Sequence, residues 1–421
     1  MKKTYLTSMI LAAVIAASMT GCGNISSADN TTVSSDTSSQ SIETSPAKAV
    51  KNSEDENNSE QIVELSNDTV SEDIFTKRDL EQTADTSEAQ SIKVADNKTI
   101  DITEEGVYVI SGTAENCTIK VNADENAKVQ LVLDGISITN NDFPAIYVVS
   151  ADKVFVTTTE SENTLIVSGE FTADGETNTD AVIFSKDDLV LNGTGTLNIT
   201  SYYGNGITCK DDMKITGGIY NVGSTLDAFE ANDSISISDG TFNITTNKDG
   251  FHCENDESEG TITITGGTFT INGASDGIQA CALLQIDGGE FDITAAEGLE
   301  ATYILINDGN ITINASDDGI NASANTNACE TAIEINGGYL NVTVGQGDTD
   351  AIDSNGSIYV NGGTINVTAQ MSSFDCDGQT EFNGGTIIIN GQEVSEIPQS
   401  MMGGGMRGGM NGGFGGRRRG F

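Results

Sequence analysis

The chain has 421 residues, with 63 Asp and Glu against 19 Lys and Arg, a formal net charge of −44. That balance excludes non-specific nucleic-acid binding, because phosphates would be repelled, and points to cations as ligands or to solubility outside the cell. Gly is abundant at 47 residues, Pro is rare at 3 and Trp is absent, the composition of strands joined by Gly, Asn and Asp turns rather than of helices.

Residues 1–21 read as a secretory signal: Lys2 and Lys3, an apolar run from Leu6 to Met19, then small residues. The run is too short for a mature membrane span. Met19-Thr20-Gly21-Cys22 is similar to a bacterial lipobox, with Met19 where Leu is more usual. That likeness implies cleavage before Cys22 and a lipid on its thiol, so the expected location is extracytoplasmic, with membrane contact through the lipid anchor only. Residues 22–75 are rich in Ser, Thr, Asp and Glu, hold too little apolar surface to offset ordering entropy, and are expected to be a disordered tether. Residues 76–128 are expected to cap and lead into the main domain, which occupies 129–395 within coils that start near residue 90. Residues 396–421, Gly-, Met- and Arg-rich, read as a low-complexity tail.

A phrase of turn and strand recurs through the main domain: Gly217-Gly218-Ile219-Tyr220, Asp239-Gly240-Thr241-Phe242, Gly266-Gly267-Thr268-Phe269 and five further copies. The second glycines, at 218, 240, 267, 289, 309, 338, 363 and 385, are spaced by 22, 27, 22, 20, 29, 25 and 22 residues. A period in the twenties with short alternating strands is the mark of a solenoid. In residues 234–254, Ile235 and Ile237, then Phe242 and Ile244, then Phe251 and Cys253 face one side of three strands separated by turns. Three strands per coil predict an all-β fold, a single-stranded parallel β-helix. Ile207, Phe229, Phe251, Ile278, Leu299, Ile320, Ile352 and Phe374 should stack at about 4.8 Å per rung as core. Cys209 and Cys253 fall two rungs apart, about 9.6 Å, beyond disulfide reach, so buried free thiols are expected.

Polar residues flank that core ladder. Two positions before it stand Asn205, Asp227, Asp249, Asp276, Glu297, Asp318 and Asp350; one position after it stand Thr208, Glu230, His252, Gln279, Glu300, Asn321, Asp353 and Asp375. Asp180 looks like an earlier member of the first column. Two carboxylates about 5 Å apart repel by roughly 1 kcal/mol in water and about 3 at an effective dielectric near 20. Retained protons or intervening cations must therefore relieve the stack. Hard oxygen donors and a single histidine favour several Ca²⁺ ions, with Asp227 and Glu230, Glu297 and Glu300, and Asp350 and Asp353 as pairs, bridged to Asp249, Asp276 and Asp318 on adjacent rungs, and with Asp375 as a further ligand. Turn chemistry alone accounts for an Asp before Gly, but not for the second acid three residues on.

The lipobox, the polar tether, Phe75-Thr76-Lys77-Arg78-Asp79-Leu80, the GGT(F/I)-x-I coils with their DG(I/F) steps, and the Gly/Met/Arg tail together resemble the bacterial cell-surface carbohydrate-binding β-helix family, whose members resemble pectate lyases in shape. The resemblance covers about residues 75–421. It implies a right-handed helix, bound calcium held by the acids above, and binding of cellulose-like and acidic plant-wall sugars such as polygalacturonate. A monomer is expected. The rival reading is a calcium-dependent polysaccharide lyase with Lys248 or Lys210 as base; a lysine beside several acids is a poor one. A third reading is a surface stalk or adhesin of ten to twelve coils, about 50–60 Å long. Tyr202, Tyr203, Tyr220 and Tyr303 are the candidate sugar platforms.

Overall fold

The computed structural model describes residues 74–255, 259–347 and 349–398. Cys22, the tether up to residue 73 and the tail from 399 lie outside the described residues.

These contain 36 strands and no helix. They wind into a parallel β-helix whose coils each present three faces. One sheet holds 12 strands, one per coil; the other holds 24, two per coil. The larger sheet is continuous because two long strands, Gly106–Glu115 and Lys128–Asn140, run through both of its faces. A regular coil reads Asp212–Ile215 on the first face, Ile219–Ser224 on the second and Phe229–Ala231 on the third.

The recurring glycine sits between the first and second faces. Each of the eight second glycines has positive φ, from 79° at Gly363 to 142° at Gly240. At Gly363 a Cβ would also meet the Gly337 carbonyl oxygen of the preceding coil at 2.6 Å. The repeat is therefore a backbone requirement: a left-handed turn that stacks directly on another.

Inside, the predicted ladder is continuous and buried, Ile207 pairing with Phe229, Phe229 with Phe251, and so on through Ile352 with Phe374. Beside it Tyr220, Phe242, Phe269 and Phe291 form a second stack, with centroids 5.4, 4.7 and 4.5 Å apart and planes within 16° of parallel. Cys209 and Cys253 lie inward on one rung position with Ala231 between them, and both are free thiols. Outside, asparagines chain amide to amide, as in Asn307, Asn336, Asn361 and Asn383 at 2.8, 2.8 and 2.9 Å. The last coil ends in an antiparallel hairpin, Thr386–Ile389 with Gln392–Val394, whose Asn390-Gly391 turn has φ of 51° and 80°. It occupies an edge that would otherwise be open to another strand.

The segment before the first coil does not cap an end. Residues 76–82 lie across the first face of central coils, where the strands Lys153–Thr158 and Asp188–Gly193 are buried on both sides. Asp79 is fully buried, with Oδ1 3.7 Å from Lys153 Nζ and Oδ2 3.9 Å from Lys214 Nζ. Arg78 lies over the Phe155 ring at 4.5 Å. Gln82 accepts the Gly193 N–H at 2.9 Å and donates to the Thr216 carbonyl at 2.9 Å.

Candidate functional site

The corner between the second and third faces carries the first acidic column, and the strand that follows carries the second. After each first-column residue comes Gly or Ala, because a larger side chain would strike the next coil: a Cβ at Gly277 would lie 2.5 Å from the Gly298 oxygen. The second column is in register throughout, Thr208 opposite Glu230, then His252, Gln279, Glu300, Asn321, Asp353 and Asp375. Asp180 does not belong to the first column. Ala181 stands opposite Asn205, and Asp180 is one residue out of register. An insertion between Val167 and Ala181 shifts the corner there, which periodicity could not reveal.

The first column is a hydrogen-bond ladder. Asp227 N–H donates to Asn205 Oδ1 at 2.9 Å, Asp249 N–H to Asp227 Oδ1 at 3.1 Å, and Asp276 N–H to Asp249 Oδ1 at 2.9 Å. Asp350 N–H donates to Asp318 Oδ1 at 2.7 Å. Asp227, Asp249 and Asp318 thus each satisfy a corner N–H of the next coil, a structural duty that neither turn chemistry nor cation binding requires. The ladder breaks at Glu297, whose N–H goes to the Ser275 carbonyl instead of the Asp276 carboxyl.

Below the break, side-chain cations compensate the acids. Lys248 Nζ donates to Asp227 Oδ2 at 2.8 Å and lies 3.8 Å from Asp249. His252 Nδ1 is 3.4 Å from the same Asp227 oxygen. Burial works against the charge on Asp227, yet hydrogen bonds from His252 and Lys248 outweigh it and hold the carboxyl down at about 2. Burial likewise opposes the charge on Lys248, and Asp227 more than restores it, so the amine is held protonated. The expected pairing of Asp227 with Glu230 is absent: Glu230 turns to Lys210 at 3.0 Å, to Thr208 at 2.9 Å and to Asn205. Both candidate lyase bases are therefore spent on ion pairs.

Beyond the break the cations stop. From Asp249 to Met406 the sequence contains no Lys or Arg. Asp276, Glu297 and Glu300 offer ligand oxygens all within 4.8 Å of one another. Burial raises Asp276 to about 8, with Asp249, Glu297 and Glu300 adding to the effect. Burial also raises Glu297 to about 7, with Glu300 and Asp318 assisting against a hydrogen bond from Asn321. Amides surround the cluster: Gln279 Nε2 donates to Glu300 at 2.7 Å and Asn321 Nδ2 to Glu297 at 2.9 Å. Farther along, burial and then Asp318, Asp350 and Asp375 raise Asp353 to about 7. An open trough of about 450 Å³ runs beside this stretch, lined by small corner residues such as Ala274, Ala296 and Ser316.

Two further groups escaped sequence reasoning. His252 joins Asp227 and Asp249 within 4.8 Å, and its place in the second column was the available signal. Asp188, Asp211 and Asp212 gather at another corner, with Lys153 3.4 Å from Asp188. Of the four candidate tyrosines, Tyr220 is buried in the aromatic stack and Tyr303 donates its hydroxyl to Glu334, leaving Tyr202 and Tyr203 exposed.

With this geometry the chain can be set beside known proteins. A model of the carbohydrate-binding domain-containing protein family matches residues 96–351 and 298–408. The chain belongs to this family. One relative, a carbohydrate-binding domain-containing protein of Acetivibrio thermocellus, is 36% identical over 124 residues, 28% of this chain and 43% of that protein, so the chain spans under half of its length. A solved structure, that of a polysaccharide lyase-like protein from C. thermocellum as a gadolinium derivative, aligns with TM-score 0.41 and 23% identity over 74% of this chain and 99% of its own.

Proposed function

We propose that the protein is a non-catalytic, calcium-dependent binder of extracellular acidic polysaccharide. Family membership supports a carbohydrate partner. The observation that carries the calcium reading is the uncompensated cluster of Asp276, Glu297 and Glu300 at the break in the ladder, in a stretch without Lys or Arg. Its donor set of hard carboxylate oxygens, with amide oxygens close by, fits Ca²⁺. Without metal, retained protons relieve the crowding, as the raised values of Asp276 and Glu297 indicate. A cation there would also turn repulsion between protein and uronate into a bridge, and the trough beside the cluster gives a chain room to approach.

Lys248 and Lys210, each held by acids, argue for binding without cleavage. The lipobox-like Met19–Cys22 supports anchoring of a monomer to the outer face of a bacterial membrane. Radiolabelled lipid incorporation that persists in Cys22→Ala would refute the anchor.

The deciding experiment is a glycan array with and without calcium, alongside calorimetric titration of Ca²⁺ into wild type and Glu297→Gln/Glu300→Gln. Calcium heat lost in the double variant, with uronate binding lost in parallel, supports the proposal. Equal binding of uronate glycans in EDTA refutes it, and unsaturated uronides appearing after incubation with polygalacturonate would establish a lyase.

A further inference from the structure

The described surface is polar almost throughout, and few large apolar side chains stand out from it. Leu80, Ile219, Tyr339 and Met371 do so elsewhere, whereas Tyr202 (58% exposed), Tyr203 (53%) and Leu226 (39%) gather in one place. All three occupy the corner between the second and third faces, in two adjacent coils, immediately before Asn205 and Asp227 of the first column. The same corner in the next coils carries Asn247-Lys248, Gly273-Ala274-Ser275, Ala296 and Ser316-Asp317, which are small or polar, and a large exposed apolar side chain returns there at Met371. Large exposed apolar groups that gather on one edge mark a contact surface more often than chance scatter does.

The backbone beneath the trio is fixed. Tyr202 N–H donates to the Val167 carbonyl, and Leu226 N–H to the Gly204 carbonyl at 3.1 Å. Thr225 Oγ1 donates to the Tyr202 carbonyl at 2.7 Å, and Thr246 Oγ1 to the Leu226 carbonyl. Gly204 lets the inserted loop lie close: a Cβ there would stand 2.1 Å from the Asp180 carbonyl and 2.7 Å from the Phe171 ring. The backbone that carries the edge is thus held by hydrogen bonds before any ligand arrives, which limits the ordering entropy lost on binding.

The geometry points to a second, calcium-independent subsite: a shelf of Tyr202, Tyr203 and Leu226 that takes the apolar ring faces of an uncharged glycan lying along the solenoid axis. This inference rests on the carbohydrate-binding reading above and adds the place. Tyrosine suits the task because its ring packs against sugar C–H groups while its hydroxyl stays available to sugar hydroxyls. Adjacent coils are about 4.8 Å apart, close to the advance per ring of a β-linked hexose chain, so successive rings meet successive corners. One coil beyond Leu226 the chain reaches Lys248, whose side chain is 42% exposed, and then the acidic stretch. A glycan with both uncharged and uronate rings would span the two subsites.

The test compares full-length wild type with Tyr202→Ala/Tyr203→Ala and with Tyr202→Phe/Tyr203→Phe, by affinity electrophoresis in soluble hydroxyethyl cellulose and in polygalacturonate with calcium. The alanine pair should weaken binding to the uncharged glucan about tenfold or more, which corresponds to about 1.4 kcal/mol. The phenylalanine pair should keep most of it, and both should bind polygalacturonate with calcium as wild type does. The shelf is refuted if wild type ignores the uncharged glucan, if the alanine pair binds it unchanged, or if EDTA abolishes that binding. Calcium-independent binding of polygalacturonate would instead overturn the cation proposal and leave the shelf standing.

Discussion

Asp79 offers a sharp test of how the solenoid wall is closed. Its carboxylate is fully buried between Lys153 and Lys214, whose side chains are only 12% and 16% exposed. Oδ2 also accepts the Thr76 N–H at 2.9 Å, while Asp79 N–H donates back to Thr76 Oγ1 at 3.2 Å. Removing one member of a buried ion pair typically costs about 3–5 kcal/mol, because the remaining charges stay desolvated. Lys153 keeps Asp188 at 3.4 Å as a second partner, and lysine heads can reach water, so Asp79→Ala belongs at the lower end, about 3 kcal/mol. That energy holds down the segment 76–82, which contains trypsin sites at Lys77 and Arg78. Cleavage through transient opening follows the open population, so trypsin should cut there roughly a hundredfold faster in the variant. Asp79→Asn, which keeps an acceptor for Thr76, should fall between. A change under about 0.5 kcal/mol, the scale of an ordinary surface substitution, would refute the latch.

Other outcomes follow from the same geometry. Metal-free protein should lose stability as pH rises from about 4 to 8. Asp276 and Glu297, raised to about 8 and about 7, stay protonated in the fold while their unfolded counterparts ionise, so the fold binds the extra protons across that window. Thermal melts in EDTA at pH 5 and pH 8 would show it, and a higher melting point at pH 8 would contradict it. Calcium affinity should rise over the same interval, since ligand oxygens must shed those protons, and calorimetry in buffers of different ionisation heat should detect their release. Phe269→Ala opens a hole in a stack with neighbours at 4.7 and 4.5 Å and should cost about 3–5 kcal/mol in urea unfolding.

Much of the architecture was legible because a solenoid repeats its demands. Glycine at each first turn is forced by positive φ, and the apolar ladder from Ile207 to Phe374 follows from strand alternation, so spacing sufficed to place both. The segment at Asp79 was not legible. Its contacts reach residues up to 137 positions away, as between Thr216 and Asp79, and no local pattern encodes which face it crosses. Asp180 misled for a related reason: an insertion moved the corner by one residue, and period-two reasoning cannot detect that from one side.

The acidic column shows how far residue type can mislead about residue role. Sequence counted carboxylates and concluded that all needed the same relief. The fold gives them three kinds. Where the corner N–H of the next coil reaches it, the carboxylate is occupied by that N–H, as between Asp249 and Asp276. Where a base lies one coil away, as Lys248 does from Asp227, an ion pair answers the charge. Among the described residues, the three carboxyls that converge without a protein cation do so at Glu297, where the ladder breaks past the last lysine. The longer Glu297 side chain places its carboxyl within 4.8 Å of those of Asp276 and Glu300, and there a structural column becomes a candidate site. Glu297→Asp should therefore draw that carboxyl back from Glu300 and weaken calcium binding while leaving all three carboxylates in the sequence. If calcium heat in that variant matches wild type, charge count rather than the reach of Glu297 governs the site.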